Sequence, residues 1–220
     1  GKTGGTAVKH TIANGEDPRS NYRVFLNHHA FKLKDVPRGD KYCFFLRDPK
    51  SRFISGFYSR QRQGRPRYFW PWSEDEKLVF ETFENPNELA RALSSEDARI
   101  REIAELGMRT IQHVRDSYWD WFHSKEYFLS RIEDLFFVGF QETLAQDFEN
   151  LKNRLSLKDE ASLPQDNVKA HRNPDSIDKK LDAQAEKNLE KWYAKDYEFM
   201  NLCREALREI QPVSENVRLV

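Results

Sequence analysis

Hydrophobic residues along this chain change their spacing from one stretch to the next, and each change marks an element. A glycine-rich turn at 1–5 leads into a short helix over residues 6–13, which Asn14-Gly15 and Asp17-Pro18 break. Residues 22–27 (YRVFLN) make a short strand candidate. Residues 41–47 (KYCFFLR) make a stronger one, because their unbroken apolar run predicts a strand buried on both faces, as in a parallel sheet. Asp48-Pro49 then supplies an N-cap and a first-turn proline for a helix running to about residue 63. An irregular, aromatic segment with Pro66 and Pro71 leads into the acidic stretch 73–77. Residues 86–133 are mostly helical, with Leu89, Ala92 and Leu93, then Ile100, Ile103 and Ala104, recurring at helical spacing. Residues 135–140 (LFFVGF) give a third strand candidate, and 142–155 an amphipathic helix with Leu144, Phe148, Leu151 and Leu155 on one face. A polar loop with Pro164 and Pro174 precedes a long helical pattern from Ile177 to Ile210. Short buried strands alternating with helices predict an α/β fold that is helix-rich in its C-terminal half.

Composition narrows the function classes. At 220 residues the chain is the size of one domain, able to bury roughly 70% of its extended-chain surface. Its 36 Lys and Arg balance 36 Asp and Glu, which argues against a general binder of nucleic acid or of anionic membranes. No apolar run approaches the ~20 residues that cross a bilayer, and no secretory signal pattern is present. The two cysteines, Cys43 and Cys203, read as buried free thiols. Six histidines show no metal-ligand spacing, so no metal site is expected.

Two constellations carry chemistry. In Gly1-Lys2-Thr3-Gly4-Gly5-Thr6-Ala7, paired glycines let backbone N–H groups approach an anion. A helix beginning there adds its positive end, Lys2 a mobile charge, and Thr3 and Thr6 hydroxyls. The order differs from a Walker A loop, whose lysine follows its second glycine. The second constellation begins where strand 41–47 ends at Arg47, the edge at which open α/β sheets bind ligands. Helical spacing brings Asp48, Ser51, Arg52 and Ser55 toward one face. Arg47 offers a planar fork for a phosphate and Ser55 a hydroxyl; the bland alternative is an Arg47–carboxylate pair beside an ordinary small helix residue.

Taken together, Lys-Thr-Gly-Gly-Thr followed roughly 40 residues later by strand–Arg-Asp-Pro-x-x-Arg-x-x-Ser-x-x-Tyr resembles the sulfotransferases that use 3'-phosphoadenosine 5'-phosphosulfate. The likeness is to the carbohydrate branch, such as heparan-sulfate 2-O- and 6-O-sulfotransferases, and to their bacterial relatives. It covers residues 1–60 at motif level. It implies a P-loop-type parallel sheet flanked by helices in one domain over 1–220, with a strand and usually a proline expected ahead of the lysine, where only Gly1 stands. It implies that Lys2, Thr3, Gly4, Gly5 and Thr6, with Ala7, hold the 5'-phosphosulfate, and that Arg47 and Ser55 hold the 3'-phosphate. The product would be 3',5'-bisphosphoadenosine, the acceptor a hydroxyl, possibly on a glycan, and no metal would take part. A late basic loop closes over the nucleotide in this family, which nominates Arg172 and Asn173 here, against a plain solvated loop. Bacterial relatives act in the cytoplasm, and animal ones in the Golgi lumen behind a membrane anchor. A P-loop kinase and a non-catalytic nucleotide-binding scaffold are the rival readings.

Carbohydrate sulfotransferases place a histidine base just after the strand that 22–27 resembles. Asn27-His28-His29-Ala30-Phe31 supplies two; His29-Ala30 fits the small-residue-after-histidine pattern, whereas a Gly-His reading favours His28. Adjacent side chains of an extended segment point to opposite faces, so one of the two reaches the pocket. Lys2 would also act catalytically, on charge at the departing bridging oxygen. Finally, Arg60, Arg62, Arg65 and Arg67 stand beside Tyr68, Phe69, Trp70 and Trp72. The group suits either an acidic or sugar acceptor or an aromatic loop packed on the core.

Overall fold

The computed structural model describes residues 7–9, 11–12, 23–28, 30–66, 68–158, 162–163 and 177–210, the side chains of 209 and 210 excepted. Strand β1 (Tyr42–Leu46) pairs in parallel with β2 (Leu135–Phe140), and a long helical crossover joins them. That crossover holds α1 (Pro49–Gln61), α2 (Glu74–Thr82), α3 (Pro86–Ala92), α4 (Ala98–Thr110), α5 (Trp119–Phe122) and α6 (Lys125–Leu129). Then follow α7 (Leu144–Leu155), α8 (Ala183–Trp192) and α9 (Ala194–Ile210). The chain is therefore mixed α/β, with a small parallel sheet and mostly helix around it.

Local chemistry starts these helices where capping rules place it. Asp48 accepts from the Ser51 N–H at 2.8 Å ahead of Pro49, and Ser73 and Glu76 form a reciprocal capping box on α2. Helix α2 lay hidden within the acidic stretch of the sequence, although Ser-x-x-Glu is its start signal. The long C-terminal pattern divides at Tyr193, and 177–182 precede the helices rather than joining them.

Among the described residues, three apolar clusters hold the fold. Phe199, Met200 and Cys203 of α9 pack on one side of the sheet with Leu46, Val138, Phe122 and Phe128. Phe148, Leu151 and Leu155 of α7 cover the other side with Phe137, Val8 and Ile12. The third cluster joins α1, α2, α3, α4 and α8 through Phe53, Phe57, Val79, Leu89, Met108 and Leu189. Gly139 is required by close approach: the Phe45 ring lies across it, and a Cβ there would collide with Phe45 Cε1.

Three expectations need correction. Residues 23–28 pair with no strand among the described residues, and Phe25 is 68% exposed, so the part of the strand expected over 22–27 that is described, 23–27, forms no ladder there. Strand β1 is not buried on both faces, since Phe44 and Phe45 are only partly covered and Cys43 is exposed. Cys43 is thus no core thiol; it lines the cleft, where desolvation by the surrounding protein pushes the thiol up to about 11. Cys203 is buried as expected.

Candidate active site

Parallel pairing of Leu46 with Phe140 makes both strands end side by side, so the residues that follow them emerge together. Glu142 Oε1 accepts from the Asp48 N–H at 2.9 Å, tying the two exits to one another. A cleft of about 2690 Å³ opens here, and Arg47, Asp48, Ser51 and Ser55 all line it. That is the ligand edge of an open α/β sheet.

Arg47 is fixed at both backbone and side chain. Its N–H donates to the Tyr118 hydroxyl at 3.1 Å, and that hydroxyl donates to the Arg47 carbonyl. Its Nε donates to Ser51 Oγ at 2.9 Å, one turn into α1. Burial lowers the Arg47 pKa, with Glu142, Tyr118 and Asp48 opposing the shift. A guanidinium partly stripped of water beside a cleft is complemented by an anion. Ser55 is 6% exposed and lies one turn beyond Ser51 on the same cleft wall.

Arg52 departs from the expected common face. It points into the core, where it pairs with Asp196 and lies 4.5 Å from the Tyr118 ring and 5.3 Å from the Tyr193 ring. Among the described residues its Nε and Nη1 have no hydrogen-bond acceptor, and the two ring faces lie against the guanidinium. Asp196 also accepts from Ser117 Oγ at 2.7 Å and from the Tyr118 N–H at 2.9 Å. Arg52, Asp196 and Tyr118 therefore form a buried brace behind Arg47. Burial pushes the Tyr118 phenol up to about 12, so it remains a neutral donor and acceptor.

Arg60 is likewise a structural group and not an acceptor-facing one. It is 1% exposed and donates from Nε to Glu76 Oε1 at 2.8 Å. Trp72 packs against the helical core, whereas Tyr68, Phe69 and Trp70 stay exposed; Arg67 lies outside the described residues.

Ala7 is buried, helical and on the cleft wall. His28 also lines the cleft, and its Nδ1 accepts from the Ala30 N–H at 3.2 Å. That bond assigns the proton of a neutral ring to Nε2. Lys2, Thr3, Gly4, Gly5, Thr6, His29, Arg172 and Asn173 lie outside the described residues.

His113 and Asp116 carry no motif that singles them out in sequence. His113 lines the cleft in a left-handed conformation (φ 72°), with its Nδ1 3.6 Å from Asp116 Oδ2. Desolvation alone would raise the Asp116 pKa, but His113 and nearby positive charge outweigh it and hold the carboxyl low.

Among the described residues, no group of three His, Cys, Asp or Glu could hold a metal ion, and no helix is long and apolar enough to cross a membrane. Comparison of the chain with protein-family models, with curated proteins and with solved structures found no match.

Proposed function

We propose that this protein is a sulfotransferase of P-loop type, moving a sulfuryl group from 3'-phosphoadenosine 5'-phosphosulfate to an acceptor hydroxyl. The observation that carries the reading is Arg47: a partly desolvated guanidinium at the end of a parallel strand, with Ser51 and Ser55 on the same cleft wall. This matches the chemistry of a 3'-phosphate site, in which a planar fork and hydroxyl donors meet a dianion. The sequence resemblance supplies the other half of the donor site, Lys2 to Ala7.

In this reading the acceptor hydroxyl gives its proton to His29 or His28 as general base. His29 is the better candidate, because the Nδ1 lone pair of His28 is already engaged by Ala30. The acceptor oxygen attacks sulfur as the bond from sulfur to the bridging phosphate oxygen breaks. Lys2 and the loop N–H groups meet the charge on that oxygen, and 3',5'-bisphosphoadenosine leaves.

Thermal unfolding with added nucleotide tests the proposal. The bisphosphate should raise the melting temperature, ATP should do so much less, and Arg47→Ala should lose most of the shift. Equal shifts with both nucleotides would favour a phosphotransferase and defeat the assignment. Transfer of radiolabelled sulfuryl groups to a panel of hydroxyl acceptors tests catalysis itself.

A further inference from the structure

The transfer reading gives no task to His113, although it lines the cleft with Arg47 and Ser55. His113 follows α4 in a tight turn, where the N–H groups of Val114 and Arg115 both donate to the Ile111 carbonyl, at 3.1 and 3.0 Å. The turn sets His113 at φ 72°, a left-handed conformation that a side chain keeps only where its surroundings fix it. Here they do. Ile111 and Val114 are fully buried on either side, and the Tyr193 hydroxyl donates to the Val114 carbonyl at 2.8 Å. From α1, Gly56 makes room: a Cβ on it would stand 3.3 Å from His113 Cβ. Gly56 directly follows Ser55, so His113 rests on the helix turn that carries that hydroxyl.

Charges around the turn leave the imidazole facing a carboxylate. His113 Nδ1 lies 3.6 Å from Asp116 Oδ2, the two side chains being 12% and 23% exposed. Glu76 of α2, which accepts from the Gln112 N–H, is paired with Arg60. Asp196 of α9 is paired with Arg52 of α1. The phenols of Tyr118 and Tyr193 are pushed up by burial and stay neutral. Arg115 and Arg47 line the cleft beside His113. A carboxylate at Nδ1 takes the proton of a neutral ring to that side and leaves Nε2 a lone pair. One more proton turns Nε2 into a charged donor. A phosphate dianion separates these states, because it repels the lone pair and attracts the imidazolium.

We propose that His113 is a further ligand of the 3'-phosphate, beside Arg47 and Ser55, and that it binds through Nε2 as an imidazolium, taking one proton from solvent as the nucleotide enters. Asp116 is its positioning residue: it holds Nδ1 and favours the charged ring. The proposal rests on the donor-site reading for the place of the phosphate. Its consequence is a nucleotide affinity that falls as pH rises, which a site of arginine and serine alone would not show above the phosphate's own second ionisation near pH ~6.

The test is calorimetric binding of 3',5'-bisphosphoadenosine and of adenosine 5'-monophosphate between pH 7.0 and 8.5, in buffers of low and high ionisation enthalpy. The buffer dependence of the heat counts protons taken up. Wild type should take up a fraction of a proton with the bisphosphate and lose affinity across this range. His113→Asn suits the left-handed backbone but cannot be charged. It should bind the bisphosphate at least fivefold more weakly at pH 7.0 and within twofold of wild type at pH 8.5, with no proton uptake. Its affinity for the monophosphate should stay within twofold of wild type throughout. Asp116→Asn keeps an acceptor for Nδ1 but removes the charge, so the loss of bisphosphate affinity should begin at lower pH than in wild type. No proton uptake in wild type, the same pH dependence in His113→Asn, or equal weakening of both nucleotides would overturn the assignment. Arg47-dependent bisphosphate binding that ignores pH in every variant would overturn it alone; a wild type that does not bind the bisphosphate would overturn the donor-site reading with it.

Discussion

Replacing Tyr118 by Phe removes one oxygen and leaves the ring in place beneath Arg52. That oxygen both donates to the Arg47 carbonyl and accepts from the Arg47 N–H. Two hydrogen bonds at ~0.5–1.5 kcal/mol each, with a partly buried N–H and C=O left behind, put the loss of stability at about 2 kcal/mol. For a chain of this size, at ~2–4 °C per kcal/mol, the melting temperature should fall by about 4–8 °C. The ring still packs on Arg52, so the bonds of Asp196 to Arg52 and to the residue 118 N–H survive. The local effect is therefore on Arg47, whose strand exit is no longer pinned. Full loss of a charge-assisted partner costs ~1.5–3 kcal/mol, so a misaligned Arg47 should weaken 3',5'-bisphosphoadenosine about three- to tenfold. Adenosine 5'-monophosphate, which lacks the 3'-phosphate, should be unaffected. Calorimetry with both nucleotides reads the difference. Equal weakening of the two, or an unchanged bisphosphate affinity alongside the expected drop in melting temperature, would refute the claim that Tyr118 acts through Arg47.

Two further outcomes follow from neighbouring charges. Glu142→Gln keeps an acceptor for the Asp48 N–H but removes a negative charge near Arg47, so bisphosphate affinity should rise about two- to fivefold at low salt; an unchanged or reduced affinity would place the anion elsewhere. Glu76 is desolvated, which alone would raise its pKa, but bonds from Arg60 and the Ser73 N–H hold it below its ordinary 4.5. A depressed folded value means that its contribution is complete above that pH and is lost as pH falls through the folded value. Melting temperature should therefore decline more steeply with acid below pH ~4.5 in the wild type than in Glu76→Gln, and parallel curves would deny Glu76 this role.

What this sequence determined by itself was local. Tyr42 to Leu46 and Leu135 to Phe140 announced strands because apolar runs this short suit a sheet more than a helix. Asp48-Pro49 set the start of α1 because capping is satisfied within a few residues, and the placement of Arg47 at a strand exit followed from that boundary. The stretch 22–27 shows the limit of such reasoning: its residues suit a strand, but a strand exists only where a neighbour completes the ladder, and 23–28 have none among the described residues. Tertiary structure decided the charged residues. Arg52 and Arg60 look like surface arginines, yet each is buried because a carboxylate brought from elsewhere in the chain, Asp196 for one and Glu76 for the other, offsets its desolvation. Tyr118 and His113 reach the candidate site for the same reason. The fold brings residues more than sixty positions from Arg47 to the strand ends, and no local spacing encodes that meeting.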